Sequence, residues 1–211
     1  MFAFNHPDEA AILIGFFLIV AFPVHEFCHA FAAWRLGDST ARWGGYLTLN
    51  PIKHFHPIGG TFLVLSVLIS GIPIGFAATP VNRANLRGRH GEGVVAAAGP
   101  LSNFGMALVL GLVTRLLAHN LDFATSAPER LWVLLGLVVY GNIVLGIFNF
   151  LPLPPLDGSA VLLSLAPPRA RWRIERGFAQ YGMLLLLAVF VFGGYLISPI
   201  ANALFSALVG Y

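Results

Sequence analysis

Residues 10 to 33 read AAILIGFFLIVAFPVHEFCHAFAA, an apolar run long enough to cross a bilayer, with His25, Glu26 and His29 two-thirds of the way along it. Ionisable side chains inside a spanning segment are costly, so a tight group of them points to function rather than packing. On a helix His25 and His29 are four residues apart, which stacks their rings on one face where they can share one Zn²⁺. Glu26 is turned about 100° away and can act on a water held at the metal. The pattern HEFCH therefore reads as the working core of a metallopeptidase set into a membrane helix.

Composition supports the membrane half of that reading. The chain is 57% hydrophobic and 10% charged, with a mean hydropathy of +0.80, values outside the range of soluble domains. Residues 1–211 leave little room for a second unit, so one intramembrane domain is expected, with residues 10–36, 94–118 and 131–165 carrying the chemistry. Cys28, the single cysteine, excludes an internal disulfide and a cysteine-based zinc knuckle. No cleavable signal peptide is expected, since Asp8 and Glu9 stand where a signal carries Lys or Arg.

Further apolar stretches cover about 60–78, 94–118, 131–151 and 181–209. The first is short for a span and is broken by Gly71, Pro73 and Gly75; the last is interrupted at Ser198-Pro199, where a bend is expected. Ala96, Ala97, Ala98, Gly99 and Ser102 open the second and would let another helix approach closely. Charge decides the topology. If 60–78 dips in and returns, Arg35, Arg42, Lys53, Arg83, Arg87, Arg89, Arg169, Arg171, Arg173 and Arg176, ten of the twelve basic residues, share one face, the cytoplasmic one. If it crosses, they are split between the two sides. The expected fold is thus an all-α polytopic bundle with about four full crossings plus a re-entrant or interfacial segment.

Two histidines leave zinc short of a ligand, because catalytic sites commonly use three protein ligands and keep one position for water. The best candidate for the third is Asp157 in FNFLPLPPLDG, residues 148–158. Pro152, Pro154 and Pro155 cannot continue a regular helix, and unwound backbone at membrane depth is tolerated where it lines a polar cavity. Gly158 permits a sharp turn after the carboxylate. The competing role for Asp157 is capping the helix that follows. His54 and His56 lie in a basic loop and are read as solvated or interfacial, with a second metal site the lesser reading. Cys28 is read as a small helix residue. The arginines at 169–176 are assigned to anionic lipid headgroups, with no nucleic-acid partner expected.

Beyond these readings, the chain resembles the site-2 proteases, the intramembrane zinc metalloproteases of peptidase family M50. The resemblance covers most of the chain and rests on HEFCHAFAAWRLGD (25–38), LTLNPIKHFHPIG (47–59), GFAATPVNRANLR (75–87), AAAGPLSN (96–103) and FNFLPLPPLDG (148–158). It implies that His25, His29 and Asp157 bind Zn²⁺, that Glu26 is the general base, and that Asn149 helps hold the substrate near the scissile bond. It also implies a multi-pass protein of a bacterial or archaeal cell membrane, with its active site nearer the cytoplasmic face. The PDZ and nucleotide-sensing domains of some family members are absent from this sequence.

The function expected is zinc-dependent cleavage of other membrane proteins in or near their transmembrane helices. The substrate must be unwound first, because helical hydrogen bonds shield the scissile peptide. The Gly-containing stretch Trp43 to Asn50 alternates loosely, and a small β-hairpin in the 40–55 loop would offer an edge to an extended substrate. The alternatives are a membrane zinc transporter and an inactive interaction protein of the same fold. Glu26 argues against the first, which needs no general base there, and the filled catalytic positions argue against the second.

Overall fold

The computed structural model describes residues 7–70, 73, 79–120 and 126–210. The first crossing runs from Asp8 to Arg35 and is built from α1 (Pro7–Phe16), one π-helical turn (Phe17–Ala21) and α2 (Phe22–Arg35). Pro23 explains the π turn. It has no N–H to donate and its ring crowds the preceding turn, so the ladder widens there and Phe22 N–H bonds Phe17 O. The ladder is thus widened about one turn ahead of His25.

At its far end α2 is closed by a Schellman motif. Gly37 takes φ +107°, its N–H bonds Trp34 O at 3.1 Å, and Asp38 N–H reaches back to Ala33 O at 2.9 Å. Asp38 is fully buried, yet its carboxylate is completely engaged. Oδ1 accepts from Thr40 N–H (3.1 Å), the Thr40 hydroxyl (2.6 Å) and Asn85 Nδ2 (3.0 Å), and Oδ2 accepts from Asn82 N–H (2.6 Å). Arg87 N–H adds a bond to Leu36 O at 2.8 Å. Residues 82–87 are thereby clamped to the end of α2.

Between these points lie α3 (Thr40–Trp43), α4 (Pro51–His54) and α5 (Pro57–Ser70). No β-hairpin forms in the 40–55 loop. Gly44 and Gly45 end α3, and Asn50 caps α4 through Ile52 N–H at 3.0 Å, so the four residues between find no partner strand. Helix α5 holds 14 residues, about 21 Å, which falls short of the roughly 30 Å hydrocarbon layer. The second half of the 60–78 stretch, residues 71, 72 and 74–78, lies outside the described residues.

The remaining crossings are α6 (Gly91–Asn120), α7 (Ser126–Phe150) and the last part of α9 (Pro168–Val209), with α8 (Asp157–Leu165) after the proline-rich break. Ser198-Pro199 does not interrupt α9, which stays helical through it. In a membrane the carbonyl freed by a proline is satisfied by neighbouring groups without loss of the helix. Helix α7 is central. Its crossing is 67% buried, against 22% for those of α6 and α9, so α6 and α9 turn side chains such as Leu108, Val109, Leu196 and Ile200 outward. One core packs Leu13, Phe17, Leu63 and Val67 on Leu137 and Leu145; the other packs Ala107, Ile197 and Ala201 on Val139, Ile143 and Phe148.

Contacts at the helix ends fix the sense of each crossing. Asp8 and Arg130, at the starts of α1 and the third crossing, form an ion pair at 2.5 Å. At the opposite end, Arg87 touches Leu36, His90 Nδ1 bonds Ser164 O at 2.8 Å, and Arg171 pairs with Glu92 at 3.1 Å. The end of α2 and the start of α6 therefore lie at one end of the bundle, which Arg35, Arg83, Arg87 and Arg171 share.

Candidate metal centre and active site

The cluster is built from its outer hydrogen bonds inward. Val138 O can only accept, so the Asn142 amide nitrogen faces it at 2.9 Å. Asn142 Oδ1 must then accept from Asn103 Nδ2 (3.2 Å), and Asn103 Oδ1 from His25 Nδ1–H (2.7 Å). His29 Nδ1–H donates to Val95 O at 2.8 Å. Both Nδ1 atoms thus carry a proton, which in the neutral imidazoles turns the two Nε2 lone pairs toward the site.

Those two Nε2 atoms lie 3.0 Å apart. Asp157 Oδ2 stands 3.2 Å from one and 3.3 Å from the other. Two imidazole nitrogens and one carboxylate oxygen converge on one point, a donor set that suits zinc. Four-coordinate zinc with bonds of about 2.0–2.1 Å sets its ligand atoms about 3.3 Å apart, which matches this spacing. Space for an ion is provided by Gly99 on α6. A Cβ there would stand 2.3 Å from His29 Nε2 and 2.5 Å from His25 Nε2. Among the described residues this is the one group of three or more such side chains able to hold a metal.

Asp157 opens α8, and the cap position belongs to Leu156, which makes no side-chain cap bond. Its carboxylate is spent on the histidines instead of on the helix end. Gly158 does not make a turn after the carboxylate; it is helical, and a Cβ there would stand 2.2 Å from Phe150 O. Its role is close approach of α8 to the end of α7.

Glu26 is buried beside the histidines and accepts the Thr79 hydroxyl at Oε2, 2.7 Å away. Glu26, His29, Thr79 and Asp157 line a cavity of about 280 Å³. Arg83 and Glu92 form its far wall, paired at 3.0 Å. The Arg83 side chain is 63% exposed, so the cavity reaches the aqueous edge at the end of the molecule where the basic residues collect.

Among the other residues singled out from sequence, Asn149 does not line the cavity; its amide donates to Leu145 O at 3.1 Å. His54 is buried and bonds Thr48 O at 2.8 Å rather than being solvated. Cys28 is half-buried, outside the metal-binding group. Sequence reading missed the roles of Asn103, Asn142, Gly99 and Thr79. Asn103 and Asn142 carried a usable signal, since an amide inside an apolar crossing needs a partner.

The profile described as Peptidase family M50 matches residues 116–192. "Putative zinc metalloprotease YwhC" of Bacillus subtilis is 37% identical over 191 residues, spanning 88% of this chain and 84% of that protein. The chain belongs to peptidase family M50. "Putative zinc metalloprotease Rip2" of Mycolicibacterium smegmatis is 31% identical, spanning 93% of this chain and 73% of the relative. Rip2 of Mycobacterium tuberculosis is also 31% identical, over 90% and 69%. No solved structure gives a significant match. This M50 chain is a zinc metalloprotease with an integral membrane fold, and membership sets aside the zinc transporter.

Proposed function

We propose that this protein is an intramembrane endopeptidase that hydrolyses peptide bonds in or near the transmembrane helices of other membrane proteins. The observation that carries the reading is the convergence of two imidazole Nε2 atoms and a carboxylate among membrane-length helices, beside a buried Glu26 on a water-reaching cavity. His25, His29 and Asp157 hold the zinc. Bound there, zinc would supply Lewis acidity toward the scissile carbonyl and an acidified water. Glu26 takes the water proton and delivers it to the leaving amine.

The cavity is small for a peptide. At about 280 Å³ it admits one extended stretch around the scissile bond but no helix, whose diameter with side chains is about 10–12 Å. A substrate helix must unwind before it is cut. Asn149, at the end of α7 just ahead of the proline-rich loop and outside the cavity, would hold the unwound strand where it leaves the cavity, through the amide oxygen that Leu145 does not engage. The site belongs at the cytoplasmic face of a bacterial or archaeal membrane, the side on which the basic residues collect.

Co-expression with a library of single-span membrane proteins, comparing wild type with Glu26→Gln, tests the reading. Wild type should release fragments that Glu26→Gln does not, while the variant keeps its zinc and accumulates bound substrate. Loss of a general base costs about 10²-fold or more. Cleavage at the wild-type rate by Glu26→Gln would remove Glu26 from the chemistry. Cleavage confined to soluble peptides would remove the intramembrane substrate.

A further inference from the structure

Glu26 directly follows one metal ligand and lies three residues before the other, yet a general base must present one chosen oxygen to a water, not merely lie nearby. Its own helix cannot supply that control, because a glutamate has three side-chain torsions. The control comes from another segment. Thr79 Oγ1 lies 2.7 Å from Glu26 Oε2 and 3.2 Å from the Glu26 backbone oxygen. One hydroxyl proton serves one strong acceptor, and the nearer, charged carboxylate takes it. Among the described residues no hydrogen bond engages Glu26 Oε1, the oxygen left to receive a proton.

Thr79 is itself held. Its β-branched side chain has restricted χ1, and Pro80 fixes the backbone that follows. Three residues on, Asn82 N–H is bonded to the buried Asp38 carboxylate at 2.6 Å, followed by Asn85 Nδ2 at 3.0 Å and the Arg87 to Leu36 bond at 2.8 Å. Asp38 lies twelve residues beyond Glu26 on the same chain segment, about 18 Å along a helix. The zinc helix thus carries its base at one point and, past its end, the anchor for the loop that orients that base.

We infer that Thr79 is a positioning residue for Glu26, and that Asp38 acts on catalysis through it by clamping residues 82–87 to the end of α2. Thr79 touches no reacting atom. It holds Oε2 so that Oε1 faces the cavity. The inference rests on Glu26 being the general base, and its test separates the two claims.

The experiment measures kcat, KM and zinc content with a cleavable transmembrane substrate in lipid nanodiscs, for wild type, Thr79→Val, Thr79→Ser, Asp38→Asn, Thr79→Val with Asp38→Asn, and Glu26→Gln. Thr79→Val should keep zinc and KM and lower kcat about 10- to 100-fold, the cost of misplacing a reacting group by about 1 Å. Thr79→Ser, which keeps the hydroxyl, should recover most of that loss. Asp38→Asn should lower kcat with KM unchanged, and the double variant should be no more than about twofold slower than Thr79→Val, since both act through one hydrogen bond. If Thr79→Val does not accumulate in the membrane, Thr79→Ala carries the same expectation. A wild-type kcat for Thr79→Val alongside an inactive Glu26→Gln would overturn the positioning role and leave the protease reading intact. Thr79→Ser as slow as Thr79→Val would overturn it too, and a double variant far slower than Thr79→Val would overturn the link through Asp38. A Glu26→Gln protein as fast as wild type would sink the assignment of the base itself.

Discussion

Asp38 and Asp157 are both carboxylates withdrawn from water, and they are satisfied in opposite ways. Asp38 is met by two backbone N–H groups, a hydroxyl and an amide N–H, all donors from the chain itself. Asp157 is met by two imidazole nitrogens whose protons are committed elsewhere. The first site is electrostatically closed when the chain folds. The second is left open for a cation, and the difference arises from what stands behind each partner: Asn103 and Val95 take the ring protons outward, away from Asp157. Burial alone does not make a metal ligand. The neighbours' tautomers do.

The sharpest way to break this contrast is to remove each acid. Asp157→Ala, like His25→Ala or His29→Ala, should empty the zinc site and abolish proteolysis, while Asp38→Asn should retain one zinc per chain. Metal analysis of the purified variants decides it. Full zinc in Asp157→Ala would mean that the carboxylate is no ligand, and an empty Asp38→Asn would mean that the two sites are not separate.

Gly99→Ala comes next. The added methyl would fall 2.3 Å and 2.5 Å from the two Nε2 atoms, well inside contact distance, so zinc binding should be lost although no ligand is changed. The expected outcome is a folded, metal-free protein. Asn103→Ala should act more gently by releasing the His25 ring from its Nδ1 acceptor. Loss of such an outer hydrogen bond typically costs 10- to 100-fold in metal affinity. Competition with a fluorescent zinc chelator measures it, and unchanged affinity would show that Asn103 does not set the tautomer.

The smallest effect is a pH dependence confined to the closed site. Burial alone would raise the Asp38 pKa, but the hydrogen bonds from Thr40, Asn85 and Asn82 outweigh it and hold the carboxyl below its usual value. A folded-state pKa below the unfolded one contributes stability that is full above the unfolded pKa of about 3.9 and is lost as pH falls through the folded one. Thermal unfolding in detergent should therefore show a loss of Tm below about pH 4 that is smaller in Asp38→Asn. Identical acid profiles for the two proteins would mean that the clamp contributes nothing measurable.

Chelating the zinc sharpens the same comparison. Hydrogen exchange should then rise at residues 157–160, where Asp157 loses its partner ion, and stay unchanged at residues 82–87, which no metal holds. Equal changes in both segments would join the two sites into one.

What the sequence by itself determined was whatever lies within a few turns of one helix. The run from 10 to 33 specified a crossing, the four-residue spacing put His25 and His29 on one face, and three prolines broke the chain before Asp157, all through local sterics and hydrophobicity. Charge patterning also indicated that the basic residues after α2 and before α6 share one end of the molecule, as the Arg87 to Leu36 bond shows. The 40–55 loop was misread because alternation without a partner strand carries no hydrogen-bond ladder. Only the tertiary structure decided which nitrogen of each histidine faces the metal, because the deciding acceptors lie 78 residues from His25 and 66 from His29. The same holds for the space over Gly99, the hold of Thr79 on Glu26 and the clamp at Asp38. Each depends on the distance between atoms on separate segments, which packing sets and the pattern along a single segment does not encode.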